Sequence, residues 1–159
     1  ALANKRYYPV SKNILIKDCT GKGMDWVESV VKYEKPDIVI LDMGDKFADI
    51  RSERTDITLK AAAIHARNIA KQYDCAVVWM SQLSAEAEGR ADLNQAMMEG
   101  SKTGKAAEAD LMVLIGKTQQ AEGEEEDPIR YLNIAKNKLN GFQGKITCQL
   151  DGSRSLYSA

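Results

Sequence analysis

The chain has 159 residues, of which 44% are hydrophobic and 28% charged, a balance typical of one compact globular domain. Its formal net charge of -1 excludes a strongly basic protein that coats nucleic acid by bulk attraction, so any such contact must come from a local basic patch. The three cysteines have no CxxC spacing, which argues against a structural zinc site. No apolar run approaches the ~20 residues of a membrane span, and the first residues lack the pattern of a signal peptide. We therefore expect a cytoplasmic domain with no membrane contact.

Apolar periodicity predicts alternating strands and helices, followed by strands alone. The predicted strands are 13–18, 37–42, 75–80 and 111–115, of which 37–42 is expected to be buried on both faces and 75–80 to be buried as well. The predicted helices are 23–35 and one that begins at Asp56 and runs to Tyr73. Segment 84–109 is predicted to hold a mobile loop and one helical portion. Alternating residues predict further strands at 131–135 and 145–150, with a turn at Asn140-Gly141 and a last hairpin from Asp151.

This order of elements predicts an α/β domain of three layers, with a mostly parallel central sheet and antiparallel strands at one edge. Residues 1–159 are predicted to form a single, partial domain. In such sheets functional groups collect at the carboxyl ends of the strands. Here those ends carry Asp18, Asp42 and the pair Ser81-Gln82.

No stretch of the chain has the spacing of a phosphate-binding P-loop, GxxxxGK[ST]. The nearest candidate is GSKTGKAAEAD, but counting back from Gly104-Lys105 places Glu99 where the first glycine belongs. Ala106 stands where the motif needs a hydroxyl. The backbone cradle for nucleotide phosphates is therefore missing from the sequence.

Two residues at strand ends nevertheless point to nucleotide chemistry. Asp42 ends the apolar run PDIVILD, the arrangement called Walker B, in which a carboxylate holds magnesium, usually through water. Gln82 ends VVWMSQ, where an amide can hydrogen-bond a terminal phosphate or orient water. The alternative for Asp42 is an aspartate that only caps the next turn. The alternative for Gln82 is an ordinary polar residue at the end of a strand.

Together with EGSKTGKAAEADLMVLIGK and YLNIAKNKLNGFQGKI, these strands resemble the RecA-like domain of DnaB-type replicative helicases and phage primase-helicases. The resemblance runs from about Asn13 to the end of the chain. It implies a RecA-like fold within a ring-forming, hexameric helicase that uses ATP or another NTP with magnesium to move along single-stranded DNA. It also implies a phage-encoded protein that acts in the bacterial cytoplasm.

The resemblance assigns roles to individual residues. Asp42 would be the magnesium-associated carboxylate and Gln82 the sensor of the terminal phosphate. Segment 83–105 would grip the DNA backbone through three cations, with a solvated surface loop as the alternative. These cations are Arg90, Lys102 and Lys105.

Lys136 and Lys138 match a hairpin that, in this family, reaches the nucleotide of the neighbouring subunit. The family usually has arginine where this chain has Lys138. A lysine supplies positive charge but no planar, bidentate fork, so the match to an arginine finger is incomplete. The alternative is two exposed hairpin charges. His65, the only histidine, has no ligand partner nearby in sequence and is expected to be structural.

The family's P-loop and the glutamate that activates the attacking water would lie upstream of Ala1. We therefore expect a fragment that binds no nucleotide and turns over no ATP by itself. Two alternatives stay open. One is a recombinase of the RecA or RadA type, which would assemble as filaments on DNA. The other is a complete, non-catalytic binding or assembly module.

Overall fold

The structure is a computed structural model that describes residues 13–47, 55–99, 104–120 and 127–159. The helices are α1 (Met24–Glu34), α2 (Thr55–Tyr73) and the short α3 (Gly104–Glu108). The strands are β1 (Ile38–Leu41), β2 (Ala76–Trp79), β3 (Leu111–Gly116), β4 (Ile129–Asn137), β5 (Gly144–Asp151) and β6 (Leu156–Ser158). Three 3-10 turns occupy Gly44–Phe47, Ala85–Ala87 and Gln95–Met97.

The first half of the chain folds as two parallel strands against two helices. Strand β1 pairs with β2, with Ile38 opposite Ala76 and Leu41 opposite Trp79. Helix α1 ends at Glu34 and is capped by Lys35, whose left-handed conformation (φ 49°) lets its N–H donate to the Val31 carbonyl before Pro36 prevents continuation. The apolar residues that pack between these elements form the first core. They are Met24, Val27, Val31, Leu41, Phe47, Leu59, Ala62, Ala66, Ile69 and Cys75.

The second half is an antiparallel sheet in the order β3-β4-β5-β6. Segment 83–99 and α3 pack against it and enclose a second core. The residues of this core are Ala87, Leu93, Met97, Met98, Ala106, Met112 and Leu114. The fold is thus mixed α/β, with one parallel and one antiparallel sheet, as the sequence predicts for a partial RecA-like domain. Within the described ranges, none of the helices has the length and apolar character needed to cross a membrane.

Most predicted elements are confirmed, but the strand predicted at 13–18 is wrong. The prediction that 37–42 is buried on both faces is also wrong, because Ile38 and Ile40 are exposed where no further layer covers them in the described part of the chain. Residues 13–18 form no strand, and the side chains of Ile14, Leu15 and Ile16 are all exposed. An apolar run becomes a strand only when a neighbouring edge accepts its backbone hydrogen bonds. In the described part of the chain, no strand lies beside this run.

Segment 83–99, most of which lies in the stretch 84–109 that was predicted to hold a mobile loop and one helical portion, makes several hydrogen bonds to its surroundings. Leu83 forms a bridge with Met98, and the Ser84 N–H donates to the Met97 carbonyl at 2.8 Å. The buried side chain of Asn133 on β4 accepts from the Leu93 N–H at 3.3 Å. The segment therefore closes on itself and is tied to the antiparallel sheet by a buried polar side chain.

Candidate functional site

Asp42 and Gln82 lie at the same edge of the parallel sheet. The Met80 N–H donates to the Leu41 carbonyl at 3.2 Å, and the Gly44 N–H donates to the Met80 carbonyl at 2.8 Å. This ladder brings the residues that follow β1 beside those that follow β2. Both Asp42 and Gln82 are exposed, so a ligand at this edge could reach both side chains.

A partly buried ion pair lies close to these two strand ends. The ammonium of Lys105 lies 2.9 and 3.0 Å from the two carboxylate oxygens of Asp45 and donates to the Ser81 hydroxyl at 2.7 Å. Ser81 in turn donates to Asp45 at 2.6 Å, and the Trp79 indole N–H donates to the same carboxylate at 3.0 Å. The four side chains join the turn after β1, the end of β2 and helix α3.

The ion pair bears on the predicted DNA-binding role of Lys105. Its side chain is only 4% exposed, and the three donors of its ammonium face three protein oxygens. This placement argues against a contact between Lys105 and a DNA phosphate. Arg90 is exposed, whereas Lys102 lies outside the described residues. The DNA contacts of Arg90 and Lys102 stay predictions.

Lys136 and Lys138 both point to the end of α3. The ammonium of Lys136 donates to the carbonyls of Ala106 and Ala107, and that of Lys138 donates to Ala107 at 3.4 Å. Lys138 also lies 3.5 Å from the Asp110 carboxylate. Burial, and then the neighbouring charge of Lys138, lowers the pKa of Lys136. Within this chain the two lysines neutralise the carbonyl end of α3. Their predicted action on a neighbouring subunit stays a prediction.

The carboxylates of the described residues do not gather into a closed metal centre. Within those residues, no three His, Cys, Asp or Glu side chains are close enough to hold an ion together. Asp45 is already saturated by Lys105, Ser81 and Trp79. Asp42 offers a single exposed carboxylate at the end of β1, and its magnesium-binding role stays a prediction.

Sequence reasoning missed Asp45. Its signal was weak, because an acidic residue three positions beyond a strand end is common in turns. The lysine that neutralises it lies 60 residues away in the chain, which no local pattern reveals.

The parallel β1-α2-β2 unit and the antiparallel strands that follow have the fold of a DnaB-type RecA-like domain, as two similar solved structures show. One similar solved structure is an ATPase domain, with a TM-score of 0.73 and 18% identity over 86% of this chain. Another is a DnaB-like replicative helicase studied with primase, with a TM-score of 0.75 and 20% identity over 89% of this chain. The chain spans 51% of the first structure and 37% of the second. No family model and no curated protein matches the sequence.

Proposed function

We propose that the chain is part of an NTP-dependent, ring-forming replicative DNA helicase that moves along single-stranded DNA. The observation that carries the proposal is the exposure of Asp42 and Gln82 at one carboxyl edge of a parallel sheet. That edge is where open α/β sheets bind ligands, and the fold is that of helicase ATPase domains. The parent protein is proposed to be a phage-encoded hexamer of the bacterial cytoplasm.

In the intact parent protein, Asp42 is proposed to hold magnesium through water beside the phosphates of ATP or another NTP, and Gln82 to contact the terminal phosphate. The backbone supports a relay from Gln82. Its carbonyl accepts from the Glu99 N–H at 3.3 Å, and the next residue, Leu83, is bridged to Met98. Gln82 therefore stands at the point where both ends of segment 83–99 meet. A shift of Gln82 on loss of the terminal phosphate would move that segment as a unit.

Segment 83–99 and the residues after it are proposed to contact the DNA backbone through Arg90 and Lys102. Such contacts with phosphate carry no sequence preference, which suits a motor that must run over any template. Lys136 and Lys138 are proposed to approach the nucleotide of the next subunit in the ring.

Binding of the chain to fluorescent oligo(dT) tests the DNA part of this proposal. We expect salt-sensitive binding, and we expect Arg90→Ala to weaken it and to lower the salt slope by about one. Arg154→Ala, which removes an exposed arginine from the turn between β5 and β6, is the matched control. Equal affinity of the two variants would refute a DNA contact by Arg90.

The nucleotide part is tested by ATP hydrolysis. We expect no turnover from the chain alone, because it has no P-loop to cradle the phosphates. Turnover that disappears in Asp42→Ala would show that the chain is a complete ATPase rather than part of one.

A further inference from the structure

The predicted DNA contact of segment 83–99 has little positive charge of its own. Lys105 is only 4% exposed and Lys102 lies outside the described residues, so Arg90 is the one predicted cation that the structure shows on the surface. The other charged residues of the segment are acidic, namely Glu86, Glu88, Asp92 and Glu99. A phosphate backbone held at this segment therefore needs further cations beside Arg90.

Arg90 passes close to the antiparallel sheet, next to an aromatic residue. A Cβ atom at Gly116 of β3 would lie 2.5 Å from the Arg90 carbonyl oxygen, so only a glycine lets the backbone of Arg90 come this near. Tyr131 of β4 lies directly opposite Gly116. Directly opposite residues of an antiparallel pair project to the same face of the sheet. The half-buried side chain of Tyr131 therefore lies on the face over which segment 83–99 runs.

Lys145 of β5 supplies a second cation at the same place. It pairs with Asn133, which is two positions from Tyr131 on β4, so Lys145 and Tyr131 project from one face. The Lys145 ammonium lies 5.2 Å from the centre of the Tyr131 ring, within the range of a cation–π contact. It also donates to the Asp92 carboxylate at 2.6 Å. The Lys145 side chain is 37% exposed and that of Asp92 is 82% exposed, so both partners of this ion pair contact solvent.

The ion pair between Lys145 and Asp92 is of a kind that another anion can replace. Exposed pairs are weak, because water and salt screen them and two flexible side chains must be held in one geometry. A phosphate oxygen offers Lys145 the same charge and the same hydrogen-bond acceptor as the carboxylate does. The Tyr131 ring offers a flat face on which a base can stack. Cations beside an aromatic ring are the combination by which proteins hold a single strand without reading its sequence.

We propose that Arg90, Tyr131 and Lys145 form one surface for single-stranded DNA, and that Asp92 occupies Lys145 until a phosphate replaces it. The inference rests on the proposed function, since it adds two residues and a competitor to the DNA contact of segment 83–99. In the free protein the Asp92 carboxylate competes with DNA for the Lys145 ammonium. On binding, the ammonium turns from the carboxylate to a phosphate, and a base stacks on the ring face that the ammonium leaves.

The affinity of the chain for fluorescent oligo(dT), measured by anisotropy at several salt concentrations, tests this surface. Lys145→Met should weaken binding by about three- to tenfold and lower the salt slope by about one. Tyr131→Leu should weaken binding by about tenfold without a change in the salt slope, because it removes stacking but no charge. Tyr131→Phe keeps the ring and should bind within about twofold of the unchanged chain. Circular dichroism first shows that each variant folds.

Asp92→Asn tests the competition, because its effect should have the opposite sign. It should tighten binding by about three- to tenfold by releasing Lys145 for a phosphate. Glu88→Gln removes the same charge from an exposed position of the same segment and is the matched control. In a chain that already carries Lys145→Met, the change Asp92→Asn should bring no more gain than Glu88→Gln does, because the ammonium that it releases is absent.

Two results would each overturn the inference. One is unchanged affinity of Lys145→Met, and the other is a gain from Asp92→Asn no larger than that from Glu88→Gln. If Arg90→Ala still weakened binding, either result would remove this surface and leave the DNA contact of segment 83–99 in place. Failure of the unchanged chain to bind oligo(dT) would overturn both. Equal affinity for a DNA duplex with the same number of phosphates would overturn the stacking role of Tyr131, which needs an unpaired base.

Discussion

Lys105 and Asp45 form a partly buried ion pair, with the ammonium 2.9 and 3.0 Å from the two carboxylate oxygens. The two residues are 60 positions apart, so the pair fastens α3 to the turn that follows β1. Ser81 and Trp79 complete the hydrogen bonding of the carboxylate from the end of β2. The sheet edge that carries Asp42 and Gln82 is therefore held in place by this cluster of hydrogen-bonded polar side chains as well as by apolar packing.

Lys105→Met should destabilise the protein by about 1–3 kcal/mol, because it removes the charged hydrogen-bond partner of the partly buried Asp45 carboxylate. Urea denaturation followed by circular dichroism measures the change. Asp45→Asn should have a similar effect, and the double variant should cost less than the sum of the two single ones. Lys71→Met, at an exposed position of α2, is the control and should stay within about 0.5 kcal/mol of the unchanged protein. Strictly additive effects would show that the two charges do not stabilise each other.

Gly44→Ala should be destabilising by about 1–3 kcal/mol, because overpacking forces neighbouring groups apart. A Cβ atom at this position would lie 2.4 Å from two ring atoms of Trp79, whose indole N–H is held by Asp45. Urea unfolding followed by tryptophan fluorescence reports both stability and the environment of the ring. Gly152→Ala is the control, since a Cβ atom there would meet nothing within 4 Å. Equal stability of the two variants would mean that the indole moves aside without cost.

Glu28→Gln should lower the melting temperature at neutral pH and have a diminishing effect in acid. Hydrogen bonds from His65 and then Tyr73 hold the pKa of Glu28 below its ordinary value of 4.5. A carboxylate with a lowered pKa in the folded state stabilises that state above the unfolded pKa and stops doing so as pH falls through the folded one. The difference in melting temperature should therefore shrink below about pH 4.5.

Glu86→Gln, at an exposed position of a 3-10 turn, is the control for this pH series. It should give a small difference that does not change with pH. If the Glu28→Gln difference in melting temperature stayed the same in acid, the glutamine would destabilise the protein for a reason other than its missing charge.

The contact between His65 and Glu28 shows which part of the structure the sequence could not predict. His65 was expected to be structural because no ligand partner lies near it in sequence. The structure places its Nε2 atom 2.7 Å from the Glu28 carboxylate, so that it connects α2 to α1. Periodicity predicted both helices, but it could not predict this pair, because the two residues are 37 positions apart.

Separation along the sequence also decided which other features could be predicted. Runs of apolar residues located β1, β2 and β3 because each strand has a partner strand in the described part of the chain, although Ile38, Ile40 and Val78 are exposed. The run at Ile14–Ile16 has equal apolar character but no edge to pair with among the described residues. Asp42 and Gln82 were predicted together because parallel strands end at the same edge. Lys105 looked like a free cation because its partner, Asp45, is distant in sequence.

Asn133→Ala should loosen segment 83–99 without unfolding the antiparallel sheet. The buried amide donates to the Ala91 carbonyl at 2.9 Å and to the Tyr131 carbonyl at 3.2 Å, and its oxygen accepts from the Leu93 N–H. Loss of this side chain leaves buried backbone groups unpaired, at a cost of about 1–3 kcal/mol. We expect faster amide exchange at Leu93 and faster proteolysis within the segment.

Asn94→Ala is the matched control, because the Asn94 side chain accepts from the Ala96 N–H, at 2.9 Å, within the segment itself. It should alter the local 3-10 turn and leave the attachment to β4 intact. If both variants gave the same cleavage pattern, the attachment would depend on the apolar residues Leu93, Met97 and Met98 instead. Slower cleavage of Asn94→Ala than of Asn133→Ala would identify Asn133 as the residue that holds the proposed DNA-contacting segment against the sheet.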